Sequence, residues 1–273
     1  MKKYLKIMQN AARLTLSKVG ISGYTKIQKN IWGSEFAAAL SFDIDYQEDE
    51  LALPQIVREM KEELVTGSFA CIGKHVEERK NKYLCLAGHE IINHSYSHPF
   101  HKIINRREWY SLDEDQTYQE IAKAHNILQK ELGYSCVGFR TPHFDQFNEK
   151  NTFTALRRLH YRYDSSGYDP LYCPYGSLPF EKDRLVEVPC YRKLSSYYCI
   201  RKKRMSPDAW LNDIAAALDK ERKYHGFACF YFDPQDFSGK PGLLKQIIHL
   251  IKERSGRFIT YRQAAETWSL SRD

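Results

Sequence analysis

Short apolar runs alternate with longer amphipathic segments along most of the chain. The runs at 37–42 and 227–232 are almost wholly apolar or aromatic, which is typical of strands buried on both faces. Residues 113–132 show the pattern of a helix, and Gly133 follows where a left-handed cap would end it. Strands that alternate with helices indicate a parallel sheet. The pattern therefore predicts an α/β fold.

Residues 36–273 are predicted to form this α/β domain, and residues 1–35 an N-terminal amphipathic extension. The chain has 273 residues, a length that single (β/α) barrels reach. Apolar residues at helical spacing lie among basic ones in the extension, which predicts a helix that could contact an anionic membrane surface. Packing of this helix against the domain is the alternative. Its apolar positions are Leu5, Met8, Ala12, Leu16 and Val19.

Polar side chains follow the predicted strands at the points where those strands end. In a barrel the carboxyl ends of the strands meet on one face, where active sites are built. We therefore expect these residues to lie together in one candidate site. They are Asp43 and Asp45 after the first strand, His94 and His98 after the third, Arg140 after the fourth, Asp164 after the fifth and Asp233 after the strand at 227–232.

The set contains the ligands of a metal site. His94 and His98 are four positions apart, so on a helical turn both imidazoles would lie on one face. Together with Asp45 they form a two-His, one-carboxylate set that suits a divalent metal. Asp43 is then left over to serve as a base.

Composition and charge limit which binding partners and which cellular location we expect. The net charge is +7, but no known nucleic-acid-binding module appears, so a nucleic-acid partner is not expected. The basic run 201–204 is interpreted as a solvated loop or as a contact with an anionic substrate or membrane. The seven cysteines show no Cys-x-x-Cys pair, which favours reduced thiols. With no signal peptide or transmembrane stretch recognised, we expect a cytoplasmic protein, with peripheral contact to the inner face of the membrane.

The ordered motifs resemble those of the polysaccharide deacetylase (NodB-homology) family, carbohydrate esterase family four. Ser41–Asp45 resembles its first motif, Asn93–His98 its second, Arg140–Pro142 its third and Tyr163–Ser166 its fourth. The resemblance spans about residues 36–265. It implies a distorted (β/α) barrel, related to the TIM barrel, with about seven parallel strands.

This resemblance implies a metal-dependent hydrolase that removes an acetyl group from an N-acetylated or O-acetylated sugar. Asp45, His94 and His98 would hold the metal, with Zn²⁺ expected and Co²⁺, Ni²⁺ or Fe²⁺ as alternatives. Asp43 would be the base that activates a metal-bound water. Arg140 would orient Asp43 and keep it ionised.

Other residues are expected at the substrate. Tyr96, Pro142 and His143 are the candidates for substrate binding. A backbone N–H near Tyr96 or in the loop of Arg140 is expected to stabilise the oxyanion.

The chain departs from the family at Asp233. The family places a His there, which protonates the leaving amine, whereas an ordinary Asp is ionised at neutral pH. Three hypotheses would restore the acid step. Asp164 and Asp233 could face each other and share a proton, His143 could act as the acid, or the leaving group could be an alkoxide.

The expected substrate is an acetylated sugar of a polysaccharide or of a lipid-linked envelope-glycan precursor. One alternative is a deformylase or another linear-amide hydrolase on the same fold. Another is a carbohydrate-binding member whose catalysis is impaired because Asp233 replaces the acid. An iron oxygenase with two His and one carboxylate is disfavoured, because its ligands usually come from a jelly roll and not from alternating strands and helices.

Overall fold

The structure is a computed structural model that describes residues 31–101, 106–107, 109–144, 148–168 and 177–272. The predicted N-terminal helix lies outside these ranges. Within them, no helix is both long enough and apolar enough to span a membrane.

Strands and helices alternate along the described chain, as the hydrophobic pattern predicts. The strands are β1 Phe36–Ile44, β2 Ser68–Cys71, β3 Glu90–Asn93, β4 Phe100–His101, β5 Arg106–Arg107, β6 Gly138–Phe139, β7 Tyr163–Asp164, β8 Phe180–Lys182, β9 Leu185–Glu187, β10 Phe227–Phe232 and β11 Gly256–Phe258. The α-helices are α1 Gln47–Glu62, α2 Gly73–Arg79, α3 Glu114–Leu132, α4 Glu149–Arg158, α5 Pro207–Tyr224, α6 Leu243–Glu253 and α7 Tyr261–Leu270. A π-helix covers Tyr197–Lys202.

One sheet dominates the described structure and confirms the predicted α/β barrel. Its strand order is β10-β1-β2-β3-β6-β7-β9-β8, with β11 beside β1. All pairs are parallel except β8 with β9, so seven parallel strands run from β10 to β9. Beyond β9 the chain returns to β10, where the N–H of Tyr191 donates to the carbonyl of Cys229 at 2.8 Å. The sheet is therefore a distorted barrel, and backbone hydrogen bonding between the segment after β9 and β10 nearly closes it.

β1 is the central strand and carries the first acidic residues of the candidate site. Ala37–Phe42 pair with β10, and Ser41–Ile44 pair with β2. All nine residues of β1 are buried, which explains its continuous apolar run. Because neighbours hold the strand on both edges, the position of the side chains at its carboxyl end is fixed by the sheet.

Packing begins before the predicted domain boundary at residue 36. The Trp32 ring stacks on Phe227 with centroids 5.4 Å apart, and its Nε1 donates to the carbonyl of His225 at 3.1 Å. The boundary of the packed domain therefore lies at or before Trp32, four residues earlier than the hydrophobic pattern indicates.

Helix α3 ends as predicted. Asp113 caps its first turn by accepting from the N–H of Gln116 at 2.8 Å. Gly133 has φ 67°, so the left-handed cap expected at this glycine is confirmed.

A close approach between β6 and β7 requires glycine at position 138. A Cβ atom added there would overlap the ring of Tyr163. That ring cannot move away easily, because its hydroxyl donates to Glu90 at 2.6 Å, and Glu90 also accepts from Ser68 at 2.5 Å. These contacts link three strands at the end of the barrel opposite the polar residues.

We predict that Gly138→Ala lowers the free energy of unfolding by about 3 kcal/mol, because the new methyl group displaces a fully buried ring. Urea denaturation of the variant and the wild type measures the loss. The matched test repeats Gly138→Ala in a Tyr163→Leu background, where the obstructing ring end is absent and the added cost should be small. Equal costs in both backgrounds would contradict the packing explanation.

Candidate active site

The carboxyl end of β1 places Asp43 against a buried guanidinium. Asp43 is 3% exposed and forms an ion pair with Arg140, which is fully buried. Arg140 also donates from Nε to the Ser165 hydroxyl at 3.0 Å and from Nη2 to the Ser41 hydroxyl at 2.9 Å. A guanidinium with this many partners is held in one position. Arg140 therefore fixes the Asp43 carboxylate in the site.

The charge of Asp43 depends on two opposing effects. Burial raises the pKa of this carboxyl, and the Arg140 guanidinium lowers it. The net shift of the pKa is upward, so Arg140 opposes the effect of burial but does not outweigh it, contrary to the expectation that Arg140 keeps Asp43 ionised. A carboxylate with a raised pKa is a stronger base, which suits proton removal.

Asp45, His94 and His98 converge beside Asp43. Asp45 Oδ1 lies 3.2 Å from Nε2 of His94 and 3.5 Å from Nε2 of His98. One ligand atom from each residue falls within 4.8 Å of the others. The structure therefore brings together the three residues that the sequence predicts as ligands.

The tautomer of His94 points to a cation at this position. Nδ1 of His94 lies 2.7 Å from the carbonyl of Arg140, and a carbonyl only accepts, so Nδ1 carries the proton. Nε2 then presents a lone pair toward the Asp45 carboxylate. Nε2 of both histidines and Oδ1 of Asp45 are buried without a hydrogen-bond partner in the described part of the chain. Two such acceptors facing each other need positive charge between them, which either a metal ion or a proton on Nε2 of His94 supplies.

The loop that carries the histidines differs from the prediction. No helical turn joins His94 to His98; instead Ser95 and His98 have φ values of 65° and 49°. Asn93 holds this loop, because its Oδ1 accepts from the N–H of Ser95 at 2.9 Å. The Ser95 hydroxyl in turn accepts from the N–H of His98 at 3.1 Å. Convergence of the imidazoles therefore results from a side-chain-supported loop and not from helical periodicity.

The protonation states suit metal ligands. Burial lowers the pKa of His98 to about 3, so its imidazole is neutral at physiological pH. Burial also acts to raise the pKa of Asp45, but His98 and His94 outweigh it and hold this pKa below its usual range. Burial lowers the pKa of His94, but Asp45 outweighs it and raises this pKa overall, so a metal would take the place of a proton on Nε2. One ionised carboxylate and two imidazole nitrogens are then the donor set of a catalytic zinc-type site with an open position. The residues present therefore fit the implied metal.

Asp164 and Asp233 do not face each other, so the hypothesis that they share a proton is wrong. Asp164 is hydrogen-bonded to Ser166 at 2.7 Å and lies against the fully buried Glu187. Asp233 instead forms an ion pair with Arg201. A carboxylate paired with a guanidinium is a poor proton donor.

Asp164 and Glu187 form a carboxyl pair that the sequence did not predict. Burial raises the pKa of Asp164, and burial together with the Asp164 charge raises that of Glu187 well above its usual range. Such a pair holds a proton between its two carboxyl groups. Neither residue lines the cavity described below, so this proton is placed within the barrel wall.

The three predicted substrate contacts have different outcomes. Tyr96 lies away from the cavity, since its hydroxyl donates to Glu77 at 2.8 Å and its N–H donates to Glu120 at 3.2 Å. This N–H is therefore not available as the expected oxyanion donor. Pro142 is buried, in a short 3₁₀ turn with His143. His143 does line the cavity, and its ring lies 4.5 Å from that of His98.

The backbone at His143 is unusual. His143 and Phe144 have φ values of 55° and 54°, in the left-handed region that residues other than glycine rarely adopt. The preceding N–H, of Thr141, donates to the Ser166 hydroxyl at 2.8 Å and fixes the start of this turn. Strained conformations of this kind cluster at functional sites, so His143 is a better supported site residue than Tyr96 or Pro142.

A cavity of about 230 Å³ opens beside Asp43 and Asp45. Most of its wall consists of tyrosines and basic residues. Arg201 and Lys202 belong to the basic run 201–204, for which an anionic substrate is one interpretation of the sequence. The tyrosines and Arg192 were not singled out from the sequence. The lining residues are Asp43, Asp45, Tyr46, His143, Phe144, Tyr168, Arg192, Ser195, Tyr197, Tyr198, Arg201, Lys202, Tyr231 and Asp233.

Comparison with known proteins supports the resemblance seen in the motifs. Residues 33–163 match the family model described as polysaccharide deacetylase. This segment, just under half of the chain, is similar to the polysaccharide deacetylase family. The match agrees with the family resemblance of the ordered motifs.

One curated protein is similar to part of this chain. The peptidoglycan-N-acetylglucosamine deacetylase of Bacillus cereus is 30% identical over 125 residues, which cover 41% of this chain and 42% of that protein. The chain therefore matches less than half of that relative.

Solved structures share the fold at lower identity. A protein from Mycobacterium smegmatis described as a polysaccharide deacetylase aligns with a TM-score of 0.73 at 21% identity, covering 88% of this chain and 92% of that chain. A CE4-family pseudoenzyme from Bacillus anthracis aligns with a TM-score of 0.57 at 17% identity, covering 84% of this chain and 65% of that chain. At these identities the two structures support the fold alone.

We predict that Asp45→Ala and His98→Ala each weaken binding of Zn²⁺ or Co²⁺ at least ~100-fold, because each removes a direct ligand. Competition with a chelating dye measures the affinity. His249→Ala is the matched control, since this imidazole is exposed and pairs with Glu63 on the surface. Wild-type affinity in the Asp45 and His98 variants would show that these residues are not the ligands.

Proposed function

We propose that this protein is a metal-dependent hydrolase that removes an acetyl group from an N-acetylated or O-acetylated sugar. The observation that carries the proposal is the convergence of Asp45, His94 and His98, with unpartnered acceptor atoms, next to the buried base candidate Asp43. The substrate class is proposed from the family match and the Bacillus cereus relative. A cytoplasmic location and peripheral membrane contact remain predictions from the sequence.

Asp43 is proposed to remove a proton from the water that attacks the acyl carbon. Asp45, His94 and His98 would hold the metal, which when bound would polarise the acyl carbonyl and acidify that water. Arg140 keeps the Asp43 carboxylate in one place, because its other N–H groups are bound to the hydroxyls of Ser41 and Ser165. After the proton transfer the neutral Asp43 carboxyl still accepts from Arg140, so the base does not reorient between the two states.

The leaving group is proposed to take its proton from His143. Asp233 is paired with Arg201, and Asp164 is turned toward Glu187, so neither carboxyl is placed to donate. His143 lines the cavity beside Asp43 and Asp45 and is held in a left-handed backbone conformation. An alkoxide leaving group needs less help than an amine, so this step matters most for N-acetyl substrates.

A second candidate function is carbohydrate binding without turnover. The ion pair between Asp233 and Arg201 favours it, because the position where the family places its acid holds no proton donor. Acetate release separates the two functions directly. Metal-loaded protein that binds acetylated chito-oligosaccharides without releasing acetate would establish the binding function.

We predict that Asp43→Asn reduces acetate release from acetylated chito-oligosaccharides roughly 10³-fold, because the amide cannot accept the proton. Metal content should stay at the wild-type level, since the three ligands are unchanged. The matched control is Asp213→Asn, an exposed carboxylate on α5. A wild-type rate in folded Asp43→Asn would remove Asp43 as the base.

We predict that His143→Gln slows hydrolysis of N-acetyl sugars roughly 100-fold but changes hydrolysis of 4-nitrophenyl acetate only a few-fold. The phenolate leaves without a proton, whereas the amine does not. Asp233→Asn, measured beside it, should affect both substrates similarly. A selective loss of amide hydrolysis in Asp233→Asn, and not in His143→Gln, would assign the acid role to Asp233.

A further inference from the structure

One wall of the cavity is built by the segment between β9 and α5, and it is rich in cations and tyrosines. Part of this segment is the π-helix Tyr197–Lys202, so the side chains there project from a hydrogen-bonded backbone. The residues of this wall that line the cavity are Arg192, Ser195, Tyr197, Tyr198, Arg201 and Lys202.

The three cations of this wall differ in their partners. Arg201 is neutralised, because it pairs with Asp233 and its Nε lies 3.0 Å from Oδ1 of Asp236. Arg192 and Lys202 are exposed, and no carboxylate in the described part of the chain forms an ion pair with either. Two positive charges at the mouth of the cavity are therefore uncompensated.

The acidic residues of the cavity do not offset these charges. Asp43 is paired with Arg140, and Asp233 with Arg201. Asp45 lies against the two histidines that share its metal site. The potential at the wall therefore favours an anion.

Arg192 is also oriented for anion recognition. Its guanidinium lies over the Tyr168 ring, with Cζ 4.8 Å from the centroid. A guanidinium that stacks on a ring by its face keeps the N–H groups of its edge available for a planar or tetrahedral anion. A neutral sugar would leave these charge-assisted donors unused.

We propose that Arg192 and Lys202 bind an anionic group, a phosphate or a carboxylate, which the acylated sugar carries close to its acyl group. The substrate class is then an acidic or phosphorylated acetyl-sugar and not a neutral one. This inference rests on the proposed function, since it concerns the substrate of the same site. Arg192 and Lys202 act on the affinity for that substrate and take no part in the chemical step.

The test compares acetate release from three sugars that share the acetamido group. They are N-acetylglucosamine 1-phosphate, N-acetylmuramic acid and the neutral methyl N-acetylglucosaminide. We expect a KM about 10-fold lower for at least one anionic sugar than for the neutral one, and the more favoured of the two identifies the anion. Raising ionic strength from about 0.05 M to about 0.5 M should erase most of this preference.

Charge-removing variants locate the effect. Arg192→Gln and Lys202→Gln should each raise the KM of the preferred anionic sugar roughly 5-fold, with kcat and the neutral sugar's KM changed less than about twofold. Arg204→Gln is the matched control, because it removes the same charge from an exposed residue of the same basic run that does not line the cavity. Equal KM values for anionic and neutral sugars, or an equal effect of Arg204→Gln, would overturn the inference.

A failure of the proposed hydrolase function can be distinguished from a failure of the anion subsite. If none of the sugars releases acetate, calorimetric titration of the wild-type, Arg192→Gln and Arg204→Gln proteins with N-acetylglucosamine 1-phosphate and N-acetylmuramic acid still tests the subsite. Tighter binding of an anionic sugar that only Arg192→Gln weakens supports it. Binding that is absent or unaffected by Arg192→Gln refutes it.

Discussion

Arg140 connects the two halves of the candidate site. Its guanidinium holds Asp43, and its carbonyl accepts from Nδ1 of His94 at 2.7 Å. The side chain thereby positions the proposed base, and the backbone orients a candidate metal ligand and fixes the proton on its Nδ1. A fully buried arginine is costly unless its charge and its donors are satisfied. The carboxylate of Asp43 and the hydroxyls of Ser41 and Ser165 satisfy them, so the stability of this part of the barrel and the geometry of the site depend on the same contacts.

The barrel supports this arrangement by bringing distant strand ends together. Asp43 and Arg140 are 97 positions apart in the chain, yet β1 and β6 end on the same face of the sheet. Of the candidate metal ligands, Asp45 directly follows β1, and His94 and His98 lie on the loop after β3, which stands between β2 and β6 in the sheet. Rigid strands therefore place the base and the histidines, while a loop held by Asn93 adjusts the final approach of the imidazoles.

The cavity wall formed by the segment after β9 determines the charges around the site. It introduces Arg201, which pairs with Asp233 and makes that carboxylate a poor proton donor. It also adds Arg192 and Lys202, whose charges have no carboxylate partner among the described residues. The proposed leaving-group and substrate chemistry therefore depends on a loop, whereas the candidate base and ligands depend on the strands and the loops at their ends.

The sequence alone determined the α/β alternation and the set of residues at the strand ends. Buried parallel strands need continuous apolar runs, and ligands must be His and carboxylate side chains, so both leave a local pattern that can be recognised. The tertiary structure alone decided which carboxyl group pairs with which partner. Sheet register places Asp164 opposite Glu187, and the segment between β9 and α5 brings Arg201 to Asp233. Contacts between residues far apart in the chain have no local periodicity, so no motif could reveal these pairs.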